Sequence, residues 1–293
     1  MDALDRHFEQ FLRERRYLKN VSTDTIDWYE CAWTTFRRTP GIVATEPAQL
    51  TQRDLEVFVI ALRDRGVRPI SCNTWLKALQ AFTAWLHARG ELGQALRLSP
   101  LKVERRIIPT LNSAALRALV GYRARTFPQR RVHALVCALL DTGCRVQEML
   151  SAAVADFDLD DCLITVIGKG DRQRRVPFSI DLRRILYSYR QAGGLQGEPL
   201  MFPARSGGSW GQRNALRSFH LLQDRVGLER VGFHRLRHTF ATEYLRNGGD
   251  VVRLSRTLGH AELSTTMGYV AMLTGDLQRA HAQTSPLAAL RRR

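Results

Sequence analysis

The sequence predicts a mainly α-helical protein with a small antiparallel β-sheet in its second half. Over most of the 293 residues, apolar side chains recur every three or four positions, which is typical of amphipathic helices. Between residues 155 and 178 the period changes to two, as expected for strands with one buried face. We therefore expect an all-α first domain, followed by an α+β domain.

Four helices are predicted in the first hundred residues. The apolar stripes of the first two are Leu4, Phe8, Phe11 and Leu12, then Ile26, Tyr29, Trp33 and Phe36. Thr51–Asp54 resembles a capping box that begins the third helix, which Gly66 ends. Pro69 opens the fourth, which ends near Gly90. The aromatic residues are interpreted as the core of a helical domain over residues 1–97, rather than as platforms on which bases stack.

Residues 98–109 are predicted to be a linker. They contain two prolines and no apolar periodicity. Their cations Lys102, Arg105 and Arg106 are candidate contacts to a phosphate backbone. The rest of the chain, residues 110–293, forms the second domain.

The second domain is predicted to begin with a helix near 112–122 and a buried helix near 129–141. Residues 141–143, Asp-Thr-Gly, then break the chain before a short helix that starts at Arg145. This break would fix the position of the Arg145 side chain through the backbone.

A β-hairpin follows. Residues 163–167 and 174–178 alternate in polarity on either side of Gly168-Lys169-Gly170-Asp171, a sequence typical of a turn. From about residue 181 the helical period is expected to continue to the end of the chain.

The charge of the chain indicates a polyanionic partner. Lysine and arginine number 44 against 28 acidic residues, which gives a net charge of +16. Residues 1–102 contain 15 basic and 12 acidic side chains, whereas residues 103–293 contain 29 and 16, so this second part of the chain provides most of the electrostatic attraction. Nucleic acid is the commonest polyanion, and an anionic membrane surface is the main alternative.

Several other classes of protein fit poorly. The five cysteines form no C-x-x-C pair, which argues against a zinc module and against a disulfide framework. The longest apolar run, at residues 132–140, is too short to span a bilayer, and the amino terminus lacks the apolar core of a signal peptide. We expect a cytoplasmic, nucleoid-associated protein with reduced thiols.

Five motifs occur in an order that resembles the tyrosine recombinases, or phage integrase family, and in particular its Xer-like site-specific recombinases. They are Thr142-Gly143-Cys144-Arg145-Val146-Gln147-Glu148, Gly168-Lys169-Gly170, His234-x-Leu236-Arg237-His238, Leu258-Gly259-His260, and Tyr269. Each motif is weak alone, but the five in order are specific, and the resemblance covers nearly the whole chain. It implies a SAM-like core-binding domain over the first part and an α+β catalytic domain over the second.

The resemblance assigns phosphate-binding roles to several basic side chains. Arg145 and Arg237 would bind non-bridging oxygens of the scissile phosphate, and His260 would add a further contact. His234, three residues before Arg237 on one helical face, would bind the phosphate or accept the proton of the nucleophile. Glu148 would orient Arg145 through a salt bridge.

Two further residues would carry out the bond exchange. Tyr269 is the implied nucleophile, and Lys169 at the hairpin tip is the implied general acid for the leaving 5′-oxygen. Lysine suits this role because its pKa falls beside other cations, whereas arginine does not release its proton. His238 is expected to point away from the site as a buried structural histidine.

The chemistry implied by the resemblance is strand exchange on double-stranded DNA recombination sites. A 3′-phosphotyrosyl bond forms and is reversed by a second 5′-hydroxyl, so neither ATP, a metal nor another cofactor is needed. The family implies a tetramer on DNA and a Holliday junction, with or without a second recombinase. The tail from Ala271 would pack on its own or on a neighbouring subunit.

Three alternatives remain at this point. Asp156-x-Asp158-x-Asp160-Asp161 resembles the start of an EF-hand loop, but it lacks the glycine and the closing glutamate of that loop, so a polar strand edge is favoured. A non-catalytic DNA-binding protein on the same scaffold is the second alternative. A relaxing topoisomerase of the type IB kind, which shares the tyrosine chemistry, is the third.

Overall fold

The computed structural model describes residues 1–103, 109–168, 173–259 and 266–267. The chain divides into two units, Met1–Arg106 and Ile107–Arg293, and each has its own hydrophobic core. The division falls inside the predicted linker. Across these described ranges, no helix combines the length and the apolar character that a membrane crossing needs.

The first unit contains the four helices that the sequence predicts. They are α1 Ala3–Tyr17, α2 Thr23–Arg37, α3 Gln52–Asp64 and α4 Pro69–Ala88, with a short 3₁₀ turn at Pro47–Gln49. The predicted cap of α3 is present, because the Asp54 carboxylate accepts hydrogen bonds from the amide and the hydroxyl of Thr51, both at 2.8 Å.

Aromatic rings fill the core of the first unit. Phe8 stacks on Trp33 with 4.6 Å between ring centroids, and Phe82 meets both rings edge-on at 5.2 Å. All three are at least 93% buried. Edge-to-face pairs add about 0.5–1.5 kcal/mol to the apolar area that they bury. The interpretation of these aromatic residues as core is confirmed.

The chain after α4 packs back onto that helix. Asn73 donates to the carbonyl of Leu101 at 2.8 Å and accepts from its amide at 2.7 Å, while Gln80 donates to the carbonyl of Leu98 at 2.9 Å. Leu96, Leu98 and Leu101 contact the aromatic core. Residues 98–101, placed in the linker by sequence, thus belong to the packing of the first unit.

The second unit is built around a buried central helix. Its helices are α5 Ser113–Val120, α6 Phe127–Thr142, α7 Val146–Ser151, α8 Ile180–Ala192, α9 Gln212–Arg225, α10 Phe233–Arg246 and α11 Val251–Leu258. Helix α6 packs against α8, α9 and α10, and nine of its 16 residues are buried. The predicted helices near 112–122 and 129–141, and the break before Arg145, are confirmed.

A three-stranded antiparallel sheet covers one side of this unit. Its strands, in spatial order, are β1 Phe157–Asp158, β2 Leu163–Ile167 and β3 Gln173–Pro177. Ile164 pairs with Val176, and both side chains face the core. The predicted hairpin is confirmed, with β3 starting and ending one residue earlier than expected. Most of its turn, residues 169–172, lies outside the described residues.

The expectation of a helical pattern from about residue 181 onward is wrong for residues 193–211, which lie between α8 and α9. Six glycines and two prolines fall in this stretch, and neither residue supports a helix interior. The chain instead forms single bridges between Ala153 and Leu200 and between Pro203 and Ser209. Gly207 and Gly208, with φ of +84° and +72°, make the tight turn of the second bridge.

Candidate active site

A glycine turn between α6 and α7 positions Arg145. Gly143 adopts φ +64°, and its amide donates to the carbonyl of Leu139 at 3.1 Å. A Cβ at this position would lie 2.2 Å from the Phe240 ring, so a side chain does not fit without movement. Cys144 is buried, and Arg145 follows as the N-cap of α7. The path of the backbone therefore determines where the Arg145 guanidinium starts.

The carboxylate of Glu148 holds two arginines. It accepts from the Arg145 amide at 2.8 Å and from Arg145 Nη1 at 3.0 Å, which confirms the predicted ion pair. Both of its oxygens also accept from Arg174, at 2.8 and 2.9 Å. Burial alone would raise the pKa of Glu148, but the hydrogen bonds from Arg174 and Arg145 outweigh it and lower the pKa. Glu148 is thus a fixed anion beneath Arg145.

Arg174 is a residue of this site that sequence reasoning missed. It lies on β3, and besides its forked pairing with Glu148 it donates from Nε to the carbonyl of Thr257 at 2.8 Å. Its guanidinium also packs against Gly259, where a Cβ would come within 3.0 Å of it. Arg174 therefore connects the β-hairpin, α7 and the end of α11. The sequence contains 40 arginines, and the one feature that could have singled out Arg174 is its position in the return strand of the hairpin.

Arg237 ties two turns of the site together. Its side chain on α10 is 3% exposed. Nη1 donates to the carbonyl of Gly143 at 2.8 Å, and Nη2 donates to the carbonyl of Leu258 at 2.7 Å. The same guanidinium thus holds the turn before Arg145 and the last turn of α11, which comes directly before Gly259 and His260.

The structure brings His234 close to both predicted arginine clamps. Partial desolvation of its ring lowers the pKa of His234, and the positive charges of Arg237 and Arg145 lower it further. The imidazole is therefore neutral at neutral pH. A neutral imidazole can accept a proton, and it retains an N–H that can donate to an anion.

His238 lies against His234, so the expectation that it points away is wrong. The two ring centroids are 4.5 Å apart, with the planes at 90°. Residues four apart share one face of a helix, and this spacing was the signal that the sequence analysis overlooked. Burial lowers the pKa of His238 to about 4, with smaller contributions from His234 and Arg237. His238 therefore presents an uncharged ring to His234.

Several predicted site residues lie outside the described residues. They are Arg105, Arg106, Lys169, His260 and Tyr269. Lys102 is described, and its side chain is exposed. The nearest described residues on either side of Lys169 are Gly168, directly after β2, and Gln173, the first residue of β3. Gly259, with φ +64°, comes directly before His260.

Within the described ranges, no three side chains of the metal-binding types come together. The acidic residues that resembled a calcium loop stabilise turns instead. Asp156 accepts from the amide of Ala153 at 2.7 Å, and Asp158 accepts from the amide of Asp161 at 3.0 Å. This supports the interpretation of the segment as a polar strand edge.

The described cysteines differ in exposure. Cys72, Cys137 and Cys144 are buried, Cys162 is half-buried and Cys31 is exposed. Burial raises the pKa of the three buried thiols, that of Cys137 to about 12. These three remain protonated at neutral pH.

The described site thus brings together two arginines, a pair of neutral imidazoles and a carboxylate that fixes one of the arginines, and such groups can bind a phosphate ester and transfer protons. Residues 109–275 match the model of the Phage integrase family. Because this match covers more than half of the chain, the chain belongs to the Phage integrase family and is a tyrosine site-specific recombinase.

Similar proteins agree with this assignment. Tyrosine recombinase XerC of Xylella fastidiosa (strain 9a5c) is 30% identical over 297 residues, covering 98% of each chain. Tyrosine recombinase XerC of Xanthomonas campestris pv. campestris (strain B100) is 29% identical over 98% of this chain and 90% of its own. Among solved structures, the Tn1549 transposon integrase in complex with transposon right end DNA has a TM-score of 0.79 at 16% identity, covering 97% of this chain and 99% of its own. That structure shares the fold.

Proposed function

We propose that this recombinase cleaves and rejoins DNA through a 3′-phosphotyrosyl intermediate. The observation that carries the proposal is the convergence of Arg145, Arg237 and His234, with Arg145 fixed by the buried carboxylate of Glu148. Cleavage of a phosphodiester adds negative charge to the phosphate in the transition state. Donors that are already in position stabilise this charge without reorganising, and each contributes about 2.7–4 kcal/mol.

Each group has a separate role. Arg145 and Arg237 bind the non-bridging oxygens, because a guanidinium offers paired donors that match them. His234, neutral at neutral pH, accepts the phenol proton or donates to the phosphate. Tyr269 attacks phosphorus, and the bond to the 5′-oxygen breaks. Lys169 gives that oxygen its proton, and His260 makes a further phosphate contact.

The second half of the reaction reverses the first. A 5′-hydroxyl of another strand attacks the phosphotyrosyl bond, and the Tyr269 phenolate leaves and recovers its proton. One phosphoester bond is exchanged for another, so ATP is not consumed. In this scheme the cationic side chains alone balance the phosphate charge, and no metal takes part.

The partner is a pair of double-stranded DNA recombination sites. The similarity to XerC recombinases and to a transposon integrase in complex with DNA supports this choice. The first unit would act as a core-binding domain, with Lys102, Arg105 and Arg106 along the backbone. Strand exchange between two sites requires four active sites, so we propose a tetramer that passes through a Holliday junction. We accordingly propose that the protein acts at the nucleoid.

A nicked duplex tests the nucleophile. A nick close to the cleavage site lets a short strand diffuse away, which traps any covalent complex. We expect the wild-type protein to become attached to DNA and Tyr269→Phe to stay unattached. Tyr187→Phe is the matched control, because Tyr187 is exposed on α8. Attachment that survives in Tyr269→Phe would disprove the assignment.

A second measurement separates recombination from the topoisomerase alternative. Supercoiled plasmids with and without a recombination site are incubated with the protein. A recombinase exchanges strands between two sites, whereas a topoisomerase relaxes any plasmid without exchange. Relaxation alone, on both plasmids, would contradict the proposal.

A further inference from the structure

Arg131 is a buried cation without a carboxylate partner. Its residue on α6 is 7% exposed, and Nη1 donates to the carbonyl of Pro203 at 2.7 Å. Nε is buried and has no hydrogen-bond partner among the described residues. The guanidinium carbon lies 4.0 Å from the ring centroid of Trp210. A cation–π contact with a desolvated cation contributes about 2 kcal/mol. This is less than the several kcal/mol that it usually costs to remove a charge from water.

Arg131 is one of the residues that line a cavity of about 660 Å³ on the second unit. Arg205 and Arg217 contribute two further positive charges, and Ser206, Asn214 and Ser218 contribute polar side chains. No acidic residue lines the cavity. None of the three arginines forms an ion pair within the described residues.

The backbone fixes the wall that carries Arg205. The amide of Ala204 donates to the carbonyl of Gly208 at 2.8 Å, and the amide of Gly207 donates to the carbonyl of Ala204 at 3.1 Å. Trp210, 3% exposed, then anchors this turn beneath the Arg131 guanidinium. The backbone turn that carries Arg205 and Ser206 is therefore fixed by the fold, although these side chains are exposed.

Arg205 and Arg217 are exposed, so water and salt screen their charges, and their presence alone calls for no counter-ion. Arg131 differs, because its charge is buried and no carboxylate balances it. The contact with Trp210 and the bond to Pro203 compensate only part of this cost. A tetrahedral anion in the cavity would balance the charge, and its several oxygens can accept from more than one guanidinium group.

We propose that this cavity binds a backbone phosphate of DNA away from the bond that is cleaved. It shares no lining residue with the cluster of Arg145, His234 and Arg237. The choice of DNA as the source of the phosphate rests on the proposed function. A contact of this kind positions the duplex and is independent of base sequence.

The test measures how DNA affinity depends on salt. Tyr269→Phe protein is titrated with a fluorescent duplex of arbitrary sequence at several KCl concentrations, so that no covalent product forms. Each phosphate contact contributes about 0.9 to the slope of log K against log salt. Because one phosphate accounts for about 0.9 in total, we expect Arg217→Gln and Arg205→Gln each to reduce the magnitude of the slope by part of this amount, and the double variant to reduce it by about 0.9. Arg123→Gln is the matched control, because Arg123 is exposed and lies outside the cavity, and its substitution removes the same charge.

Arg131 is tested by a charge-preserving variant. Arg131→Lys keeps the positive charge but loses the planar fork of the guanidinium. We therefore expect weaker DNA binding, with little change in the slope of log K against log salt. If this variant fails to fold, Arg217→Gln and Arg205→Gln still decide the proposal. Equal slopes for these two variants and Arg123→Gln would show a bulk charge effect and overturn it.

A further arm distinguishes DNA from free phosphate. Thermal unfolding is followed in potassium phosphate and in KCl at equal ionic strength. Stabilisation by inorganic phosphate that Arg217→Gln abolishes, together with an unchanged DNA slope, would assign the cavity to free phosphate and overturn the DNA proposal. Because the salt slope is measured without cleavage, it stays informative even if Tyr269 proves inert.

Discussion

At the scale of single residues, the arrangement of the site depends on the hydrogen bonds that the Glu148 carboxylate accepts. Glu148 accepts four hydrogen bonds, two from Arg145 and two from Arg174. Removing one partner of a buried pair costs about 3–5 kcal/mol, because the other charge stays buried without compensation. Arg174 therefore acts as a positioning residue for Arg145, although we assign it no contact with DNA.

Arg174→Lys tests this positioning role. Lysine keeps the charge but cannot fork onto both oxygens of Glu148 while donating to Thr257. We expect the rate of covalent attachment, measured with saturating protein, to fall about tenfold to a hundredfold. The variant should still fold, because the positive charge opposite Glu148 is kept and only hydrogen bonds worth about 1–3 kcal/mol are lost. Arg175→Lys, one residue further along β3 on the opposite face, is the control and should retain wild-type attachment. An unchanged rate in Arg174→Lys would rule out the positioning role.

His238 makes stability depend on pH. Its pKa is about 4 in the folded protein, against an ordinary value of 6.5. Above pH 6.5 the His238 side chain is neutral in both the folded and the unfolded protein, so it does not reduce the stability. As the pH falls from 6.5 towards 4, the unfolded chain gains a proton that the folded chain does not. The free energy of unfolding should therefore decrease, by at most about 1.4 kcal/mol per pH unit.

Chemical denaturation at several pH values measures this decrease. Because the pKa of His234 is lowered as well, His238→Asn should reduce the dependence between pH 6.5 and 4 without removing it. The same slope in the variant and in the wild type would contradict the proposed origin of the effect.

At the scale of elements, the turn between α6 and α7 has no room for a side chain at Gly143. Gly143→Ala places a Cβ in a left-handed conformation and against Phe240. The backbone costs about 1 kcal/mol, and overpacking adds about 1–3 kcal/mol. We expect this loss in the free energy of unfolding, together with slower attachment because Arg145 is displaced.

Gly194→Ala is the matched control for this change. Gly194 has φ +62°, but a Cβ added there would meet nothing within 4 Å, so only the backbone cost of about 1 kcal/mol applies. Combining Gly143→Ala with Phe240→Ala should recover part of the attachment rate. Equal losses for Gly143→Ala and Gly194→Ala would show that the contact with Phe240 is unimportant.

The elements themselves were largely predictable from sequence, and the contacts between them were not. Apolar periodicity gives the helices of the first unit because one face of each is buried in a single core. The same reasoning was wrong for residues 193–211. The apolar residues there are spaced among glycines in a way that resembles a helical period, although the glycines do not support a helix. Arg145 was identifiable from its motif, whereas Arg174 was not, because its importance comes from partners 26 and 83 residues away.

At the scale of the whole molecule, the separate cores predict that the first unit folds by itself. A fragment of residues 1–103 should unfold cooperatively when its helical signal is followed on heating. A fragment of residues 1–95 loses the packing of Leu96, Leu98 and Leu101, and burying a leucine contributes about 1.5–3 kcal/mol. We expect the shorter fragment to be less stable by at least about 3 kcal/mol.

An intermediate variant separates packing from hydrogen bonding. Asn73→Ala in the longer fragment removes both bonds to Leu101 but keeps the leucines, and should cost about 1–2 kcal/mol. Equal stability of the two fragments would show that residues 96–101 add nothing to the first unit.

The distribution of the cysteines makes the protein suitable for selective dye labelling. Maleimides react with the thiolate, so the buried, protonated thiols of Cys72, Cys137 and Cys144 should react slowly. Cys31 is exposed on α2, and replacing the half-buried Cys162 by serine would leave it as the single fast-reacting position. Cys31 is far in sequence from Arg145, His234 and Arg237. A fluorophore on Cys31 would therefore report binding to labelled DNA without altering any of these side chains.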